Sequence, residues 1–593
     1  MKISRLCGIS ATFVFIAAAL NSASAQLKSD SFGKRLIEGK VPHLTVVVSI
    51  DQFRGDYLRR LNDLLLPAKH GAEVGGFRYL MTAGSYFTEA KYPHYPLYTG
   101  PGHAMILTGG SPYKHGIISN DWWDRTTSKG VYCVDDARQK VVGAEAGSSA
   151  KPMGPLNLKS TTIGDELKLA TNGASKVVTI ALKDRAAILL GGHTQDVSLW
   201  YDNANGNWIS STAYCKEGKL PDWVQKLNAE HIPNKSGGSV WDISVSLKPD
   251  GISRAIPTNF PVGTNPSGIG AIFPHKIPAI IDPAKRSDLY KAFTLTPDAN
   301  SFVFETAKRA VLNEKLGQHG EISDLLALNL STNDYVGHAF GPYSPEALDL
   351  TVRTDALLSD FLNFLNRTIP GGLNEVVFVV TADHGVAPIP ENLIERNISA
   401  GRIDERRFES TVQAALAKAF GEGAWVGKDS SGKLVGKFVE PYLYLNDLLV
   451  RLTVASGKAT RAQIESVAAE AMFDIPNVYA CYTKTQILEG RLPKTDIADH
   501  IYKGFHPKLS GDVVVVTDPL YFIESPGGTG TTHGSPFLYD THVPILIAGP
   551  GIRPGVWADP VTPADIAPTL ALLLGIQAPS ACDGVPLKSA LRP

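Results

Sequence analysis

Six side chains in four short segments are of types that bind metal ions in proteins: Asp51, Asp334, His338, Asp383, His384 and His533. Asp334 and His338 stand at i and i+4 in NDYVGH, so they share a face if this turn is helical. Three carboxylates and three imidazoles suit zinc and, less well, other divalent metals. Each pair alone is commonly a hydrogen-bonded strand end or loop histidine, but the combination favours a two-metal site.

A candidate nucleophile lies in the segment YTGPGH. Gly100 and Gly102 allow a tight turn and close backbone approach, and Pro101 suits a first helical turn. Thr99 would then lie just before a helix N-terminus, where free N–H groups and the helix dipole favour a phosphate. The alternative for Thr99 is a helix N-cap.

The chemistry that these groups could support is phosphoryl transfer. A threonine hydroxyl is a weak nucleophile, but a metal ion can activate it. A second metal can hold the departing oxygen during in-line displacement, which removes the need for a side-chain general acid. Hydrolysis of phosphate monoesters has a very high uncatalysed barrier, and two dications with fixed cations match that demand.

Apolar, β-branched runs predict the elements that position these residues. The predicted strands are Leu44 to Ile50, Lys176 to Leu182, Leu325 to Leu330, Val376 to Thr381 and Val543 to Ala548. Helix-like stretches at 344–365 and 566–574 lie between or after them. The alternation predicts an α/β fold with a mostly parallel sheet flanked by helices. Polar residues follow four of the five runs, where such folds bind ligands.

The domain prediction is a signal peptide followed by one catalytic domain. Residues 1–25 combine a positive start, an apolar stretch and the small-residue site ASA, which is typical of secretory signal peptides. Residues 26–593 form the predicted catalytic domain, with insertions at about 197–300 and 400–525. We therefore expect a periplasmic or extracellular protein, and its mature part shows no membrane span.

Composition excludes several classes of protein. The chain is 44% hydrophobic and 19% charged, which is globular and not disordered. Its net charge of −1 gives no basic excess for nucleic-acid binding. Four cysteines remain after signal cleavage: Cys133, Cys215, Cys481 and Cys582. In an oxidising compartment we expect at least one disulfide among them, the alternative being buried thiols.

Seven motifs in order resemble the alkaline phosphatase superfamily, and most closely the threonine-nucleophile zinc alkaline phosphatases of PafA/PhoK type. They are DQFRGDYL at Asp51, YTGPGH at Thr99, HGIISN ending at Asn120, LKDR at Lys183, NDYVGH at Asp334, TADHG at Asp383 and THGSP at His533. The resemblance implies that fold and two zinc ions per chain. It leaves additional Ca²⁺ or Mg²⁺ open, and a monomer is expected.

The resemblance also implies a role for each matched residue. Asp51, Thr99, Asp383 and His384 would hold the zinc that activates the nucleophile. Asp334, His338 and His533 would hold the zinc that stabilises the leaving group and then activates water. Asn120, Lys183 and Arg185 would contact the phosphoryl oxygens.

The sequence itself gives a reason for the cation pair. At i and i+2 of an extended segment, Lys183 and Arg185 would point to one face and could meet a dianion. The alternative is a pair of solvated charges after a strand. Asn120 could equally be a turn residue, and we expect His103 to be structural.

The predicted function is hydrolysis of small phosphate monoesters through a phospho-threonine on Thr99. The alternative is a nucleotide pyrophosphatase/phosphodiesterase of the same superfamily. A diester carries one phosphoryl charge fewer, so the pair Lys183 and Arg185 favours the monoester. Sulfatases are disfavoured because no CxPxR-type motif occurs. A metal-binding protein without turnover would keep the ligands but would not need Thr99.

Overall fold

The three-dimensional arrangement comes from a computed structural model. It describes residues 41–244, 247, 255, 265–524 and 530–592. The predicted signal peptide, residues 1–25, lies outside the described residues. No helix in the described ranges is both long enough and apolar enough to cross a bilayer.

The described strands are, in chain order, β1 (Leu44–Ile50), β2 (Lys69–His70), β3 (Glu73–Val74), β4 (Ser85–Lys91), β5 (Asp121–Asp124), β6 (Lys129–Tyr132), β7 (Val141–Val142), β8 (Val177–Ala181), β9 (Val197–Asp202), β10 (Asn207–Ser211), β11 (Val240–Trp241), β12 (His275–Lys276), β13 (Asp324–Leu330), β14 (Val376–Thr381), β15 (Gly401–Ile403), β16 (Gly427–Lys428), β17 (Leu434–Val439), β18 (Tyr442–Tyr444), β19 (Val478–Thr483), β20 (Val513–Thr517), β21 (Tyr521–Ile523), β22 (His542–Ala548) and β23 (Gly555–Trp557).

The described α-helices are α1 (Asp56–Arg60), α2 (Phe77–Ala83), α3 (Thr99–Thr108), α4 (Pro112–His115), α5 (Ile163–Ala170), α6 (Asp184–Gly191), α7 (Asp222–Ala229), α8 (Arg286–Phe293), α9 (Pro297–Asn313), α10 (Thr332–Phe340), α11 (Pro345–Thr368), α12 (Pro390–Ile394), α13 (Arg406–Phe420), α14 (Asp447–Ala455), α15 (Arg461–Phe473), α16 (Lys484–Leu488), α17 (Asp496–Gly504), α18 (Leu538–Thr541) and α19 (Ile566–Leu574).

The central sheet has the strand order β23-β4-β22-β14-β1-β13-β8-β9-β10-β7. Its middle is parallel, since β14, β1, β13, β8 and β9 all pair in that sense. Every residue of β1 is buried, as expected for a strand covered on both faces. Val46 and Val48 pack into one hydrophobic cluster, while Val47 packs into another on the opposite face. The predicted α/β fold with a mostly parallel sheet is confirmed.

The ends of the parallel strands lie level with one another. Ile50 of β1 pairs with Leu330 of β13, and Ser49 pairs with Thr381 of β14. Residues that follow these strands therefore come together at one edge of the sheet, where α/β folds bind ligands.

One predicted strand runs in the other direction. The run at 543–548 lies in β22, which pairs antiparallel with both β14 and β4. A continuous apolar run indicates burial on both faces but not strand direction, so the sequence does not reveal that this strand departs from the predicted mostly parallel arrangement.

The two predicted insertions differ in structure. In the segment 197–300, β9 and β10 extend the central sheet. In the segment 400–525, β16 to β20 form a separate five-stranded sheet with its own apolar cluster. This sheet is tied to the chain that precedes α3, because Tyr95 donates its hydroxyl to Val515 O at 2.6 Å. The division into one catalytic domain with two insertions stays a prediction.

The four cysteines are free thiols in the structure. Cys133 and Cys215 are buried, and they belong to different apolar clusters. Cys481 packs against a third cluster. The expectation of a disulfide is therefore wrong for this structure: the thiols serve as small apolar side chains.

Three histidines meet in the interior beside the chain that leads to α3. His94 and His115 are fully buried. Among the described residues, neither ring nitrogen of His94 has a hydrogen-bond partner, nor has Nε2 of His115 or Nδ1 of His500. Burial, together with His115, His500 and Lys503, holds the pKa of His94 well below its ordinary value. Burial lowers the pKa of His115 to about 3.

This cluster predicts lower stability in acid. The unfolded chain takes up protons on these histidines below about pH 6.5 while the folded protein does not, so the free energy of unfolding falls as pH falls through that value. In His94→Gln the slope of the unfolding midpoint against pH should be shallower between about pH 4 and 6.5. The exposed His70→Gln is the control. Equal slopes for His94→Gln and the wild type would contradict the prediction.

Candidate functional site

The predicted site residues gather at the carboxyl edge of the central sheet. Asp51 directly follows β1, and Asp383 follows β14 by two residues. Asp334 lies in the first turn of α10, just after β13. Lys183 lies two residues beyond β8. Four neighbouring parallel strands thus each deliver one charged side chain to the same place.

The first cluster of candidate ligands contains Asp51, Asp383 and His384, whose ligand atoms all lie within 4.8 Å of one another. His384 Nε2 lies 3.1 Å from Asp383 Oδ2 and 3.5 Å from Asp51 Oδ1. The hydroxyl of Thr99 lies 3.4 Å from the same Nε2. All four residues are almost fully buried. The candidate nucleophile therefore adjoins a buried set of oxygen and nitrogen ligands.

The second cluster contains Asp334, His338 and His533, again within 4.8 Å. His338 Nε2 lies 3.1 Å and His533 Nε2 lies 3.7 Å from Asp334 Oδ1. Asp334 and His338 share one face of α10, as their spacing predicts. The rings of His384 and His533 stack with centroids 3.5 Å apart, so the two clusters are neighbours.

The backbone fixes which nitrogen each histidine offers. In all three, Nδ1 lies at hydrogen-bond distance from a main-chain carbonyl: His338 with Thr531 at 2.7 Å, His384 with Gly385 at 2.9 Å, and His533 with Leu97 at 3.0 Å. A carbonyl only accepts, so Nδ1 carries the hydrogen. Nε2 is then the nitrogen that can bind a metal, and this arrangement is common around metal-binding histidines.

Asp51 carries the strongest indication that a cation belongs here. Burial and the neighbouring Asp383 raise the pKa of Asp51 to about 7. Within the described part of the chain, neither carboxylate oxygen has a hydrogen bond of good geometry, although Lys183 Nζ lies 2.9 Å from Oδ2. A buried carboxylate that accepts no hydrogen bond is costly unless positive charge compensates it. The donor set therefore fits a divalent metal such as zinc.

The pKa shifts of Asp334 and His384 also indicate that the site favours positive charge. Burial raises the pKa of Asp334, but His338 and Lys183 outweigh it and hold the pKa well below its usual range. Burial lowers the pKa of His384, but Asp383 and other carboxylates reverse this and raise it to about 9. Carboxylates that stabilise a proton on Nε2 would also stabilise a metal ion there.

Thr99 is the first residue of α3, so the helix begins one residue earlier than predicted. Tyr98 is the N-cap, so Thr99 does not take the capping position that was the alternative interpretation. The next residue, Gly100, donates its N–H to Asn120 Oδ1 at 2.7 Å. The helix N-terminus, with its partial positive charge, thus lies beside the Thr99 hydroxyl.

Lys183 and Arg185, the two cations predicted to bind phosphate, differ in their surroundings. Lys183 Nζ lies 2.9 Å from Asp51 and 2.5 Å from Asp334, so it bridges the two clusters. Arg185 donates Nη1–H to the Tyr132 hydroxyl at 3.1 Å. Arg185 Nε is buried and has no hydrogen-bond partner among the described residues.

The reason given for this pair from the sequence was wrong. Lys183 is the N-cap of α6, and Arg185 lies in the first turn of that helix, so the two are not on one extended segment. An i, i+2 relation along a strand therefore does not bring them together.

Sequence reasoning missed Gln52, which links the two clusters. Its backbone N–H donates to Asp383 Oδ1 at 3.0 Å, and its side-chain amide donates to Asp334 Oδ1 at 2.9 Å. The backbone at Gln52 has a φ of 64°, an uncommon conformation for a residue other than glycine. The sequence signal that could have identified Gln52 is its position directly after the candidate ligand Asp51 at the end of a strand.

His103, which we expected to be structural, also touches the site. Its Nδ1 lies 2.9 Å from Thr99 O and 3.1 Å from Asp383 Oδ2. On the other side of the ring, Asn329 Nδ2 lies 2.8 Å from Nε2. His103 therefore packs between the backbone of the candidate nucleophile and a candidate ligand, because it lies one helical turn after Thr99.

Comparison with known proteins places the chain in a family. Residues 45–536 match the family described as type I phosphodiesterase / nucleotide pyrophosphatase. Alkaline phosphatase PhoV of Synechococcus elongatus is 34% identical over 100% of both chains. Alkaline phosphatase PafA of Elizabethkingia meningoseptica is 32% identical over 93% of this chain and 94% of that protein.

A solved structure agrees with these matches. The crystal structure of wild-type alkaline phosphatase PafA covers 93% of this chain and 99% of its own, with a TM-score of 0.81 and 30% identity. The chain belongs to the type I phosphodiesterase / nucleotide pyrophosphatase family, and over nearly its whole length it is similar to the PhoV and PafA alkaline phosphatases. The resemblance inferred from the seven motifs is confirmed.

Gly102 provides a test of the packing between α3 and the first cluster. A Cβ at Gly102 would lie 2.3 Å from Asp383 O. Gly102→Ala must therefore displace Asp383 or the helix, and a shift of about 1 Å can lower activity about 100-fold. We expect a loss of that order in kcat/KM, with reduced bound metal.

The matched control for this substitution is Gly130→Ala. No described atom lies within 4 Å of a Cβ at that position. Its activity and metal content should equal those of the wild type. Wild-type activity in Gly102→Ala would show that the close approach is not needed.

Proposed function

We propose that the chain is a two-zinc alkaline phosphatase that hydrolyses phosphate monoesters through a covalent phospho-threonine on Thr99. The observation that carries the proposal is the position of the Thr99 hydroxyl, which lies 3.4 Å from His384 in one ligand cluster while that ring stacks on His533 of the other. The full-length similarity to PhoV and PafA supports the same activity.

Two sets of residues would hold the metals. Asp51, Asp383, His384 and the Thr99 hydroxyl would bind one zinc, and a second set would bind the other: Asp334, His338 and His533. When bound, the pair of dications would lower the pKa of the Thr99 hydroxyl and stabilise negative charge on the departing oxygen. The orientation of every histidine Nε2 toward the clusters supports this assignment.

The phosphate would lie beside Thr99 at the N-terminus of α3. Asn120 Oδ1 already accepts the Gly100 N–H, which leaves the amide nitrogen to donate to a phosphoryl oxygen. The Arg185 guanidinium has a buried Nε–H to offer, and Lys183 lies between the clusters. These donors and charges are fixed before substrate arrives, which is the arrangement that best stabilises a charged transition state.

The reaction consists of two displacements at phosphorus. In the first, Thr99 Oγ would form a bond to phosphorus as its proton passes to solvent, and the bond to the alcohol oxygen would break as that oxygen takes a proton from solvent. In the second, a water oxygen would form a bond to phosphorus and release a proton to solvent. The bond from phosphorus to Thr99 Oγ would then break, Thr99 Oγ would take a proton from solvent, and phosphate would leave. Asn120, Lys183 and Arg185 hold the three non-bridging oxygens through both steps.

The phosphodiesterase remains the second candidate because the family description names that activity. The monoester is favoured because its additional negative charge suits Lys183 and Arg185. Export to the periplasm or beyond, action on small phosphate esters and a monomeric state complete the proposal, and they rest on residues 1–25 and on the resemblance.

Replacing the nucleophile tests the covalent route. Thr99→Ala should lower kcat for a chromogenic phosphate monoester by about 1,000-fold or more, since no hydroxyl remains to attack. Thr99→Ser keeps a hydroxyl and should retain turnover. Acid quench and mass spectrometry should find phosphate on residue 99 in the wild type only when substrate is present.

The control for Thr99→Ala is another buried threonine of the same helix. Thr108 donates its hydroxyl to Ala104 O at the far end of α3. Thr108→Ala should keep wild-type kcat. Undiminished turnover in Thr99→Ala with wild-type zinc content would overturn the mechanism.

Substituting Arg185 tests the preference for monoesters. A charge-assisted hydrogen bond contributes roughly 1.5–3 kcal/mol, so Arg185→Ala should lower kcat/KM for a monoester about 10- to 100-fold. The loss for the matching diester should be smaller, because the diester carries less charge. The ratio of the two kcat/KM values is the readout.

A second arginine serves as the control for charge alone. Arg138 is largely exposed and pairs with Asp136. Arg138→Ala should leave the monoester-to-diester ratio unchanged. An unchanged ratio in Arg185→Ala as well would remove the argument for the monoester.

A further inference from the structure

The segments that carry His384 and His533 meet around one residue, Asp540. It lies in the short helix α18 and is 1% exposed. The metal-ligand motifs do not include it. Its hydrogen-bond partners are residues that directly follow the two stacked histidines, so it contacts the chain beside one ligand of each candidate metal cluster.

The side chain of Asp540 anchors the segment after His533. Its Oδ2 accepts the N–H of Gly534 at 3.1 Å, the N–H of Ser535 at 2.8 Å and the hydroxyl of Ser535 at 2.6 Å. Three donors on one carboxylate oxygen fix both the position and the direction of this turn. Oδ1 of the same group has no hydrogen-bond partner in the described ranges.

The backbone of Asp540 anchors the segment after His384. The N–H of Gly385 donates to Asp540 O at 2.6 Å. The contact is close, because a Cβ at Gly385 would lie 2.3 Å from Tyr539 O. Asp540 therefore joins the chain beside His384, through its carbonyl, to the chain beside His533, through its carboxylate.

We propose that Asp540 is a positioning residue that sets the relative position of the two metal-ligand clusters, which is an inference that rests on the proposed two-zinc function. His384 and His533 belong to different clusters, and their stacked rings lie 3.5 Å apart. Asp540 bonds the backbone directly after each of these two histidines. In-line displacement with two metals depends on their spacing of about 4 Å.

The two anchors can be separated by mutation. Asp540→Ala removes the carboxylate but keeps the carbonyl that binds Gly385. The segment of His533 should loosen while that of His384 stays in place. We therefore expect the zinc bound by Asp334, His338 and His533 to be released first, about 10- to 100-fold faster than from the wild type, as for other residues that orient metal ligands.

Asp540→Asn should behave differently. All three donors meet one oxygen, which an amide oxygen can replace, so zinc retention should stay near the wild-type value. The new amide nitrogen would take the place of the unpartnered Oδ1 and would lack an acceptor, so the unfolding temperature should fall. Retained zinc together with a lower unfolding temperature would show that Asp540 acts through the hydrogen bonds that its oxygen accepts and not through its charge.

The matched control is Asp355, a fully buried aspartate away from the site. It accepts the backbone N–H groups of Leu66 and Phe77, both at 2.6 Å. Asp355→Ala loses the same kind of anchor, so it should lower the unfolding temperature but leave the rate of zinc release unchanged.

The experiment measures zinc release from the purified, zinc-loaded proteins into a colorimetric chelator, together with zinc content and thermal unfolding. Biphasic release from Asp540→Ala, with one fast ion, supports the proposal. Release at the wild-type rate, or equal acceleration in Asp355→Ala, overturns it. If Asp540→Ala does not fold, Ser535→Ala replaces it; loss of one donor should accelerate release about two- to tenfold, and an unchanged rate overturns the proposal.

The same measurement separates this inference from the proposed function. A wild-type protein that holds fewer than two zinc ions refutes the two-zinc function and the inference with it. A wild-type protein with two ions and a variant with identical release refutes the inference alone.

Discussion

Burying three carboxylates within a few ångströms of one another opposes folding unless positive charge accompanies them. Asp51, Asp334 and Asp383 are all nearly inaccessible to solvent. Lys183 supplies one positive charge and lies between two of them. The parallel strands force the carboxylates together, because each follows a strand whose end lies level with the next. The neighbouring histidines and Gln52 then contact these carboxylates and reduce the free-energy cost of burying them.

The loop at 530–535 joins parts of the site that are distant in sequence. Thr531 bonds His338 in both directions, through its carbonyl at 2.7 Å and its N–H at 3.0 Å. His533 bonds Leu97, two residues before the candidate nucleophile Thr99. Because one short loop contacts the second cluster and the nucleophile segment, displacement of this loop would disturb binding and chemistry together.

Much of this site could be predicted because strand ends and ligand types are local features of sequence. A buried run such as Leu44–Ile50 predicts its own strand, and the aspartate after it predicts where a ligand lies. The direction of β22 could not be predicted, since apolar runs look alike in either direction. Nor could the role of Asp540, because its partners Gly534 and Gly385 are specified by tertiary packing and by no local pattern.

The two cations of the site are not equivalent. Lys183 forms ion pairs with two candidate metal ligands, Asp51 and Asp334, so its charge already compensates the charge of these carboxylates. Arg185 contacts a neutral hydroxyl and keeps a buried N–H without a partner in the described chain. An unpaired buried donor is costly until it meets an acceptor. In the proposed reaction, Arg185 would offer a phosphoryl oxygen a donor that has no other partner among the described residues, whereas Lys183 would contact the phosphate while it also balances the charge of Asp51 and Asp334.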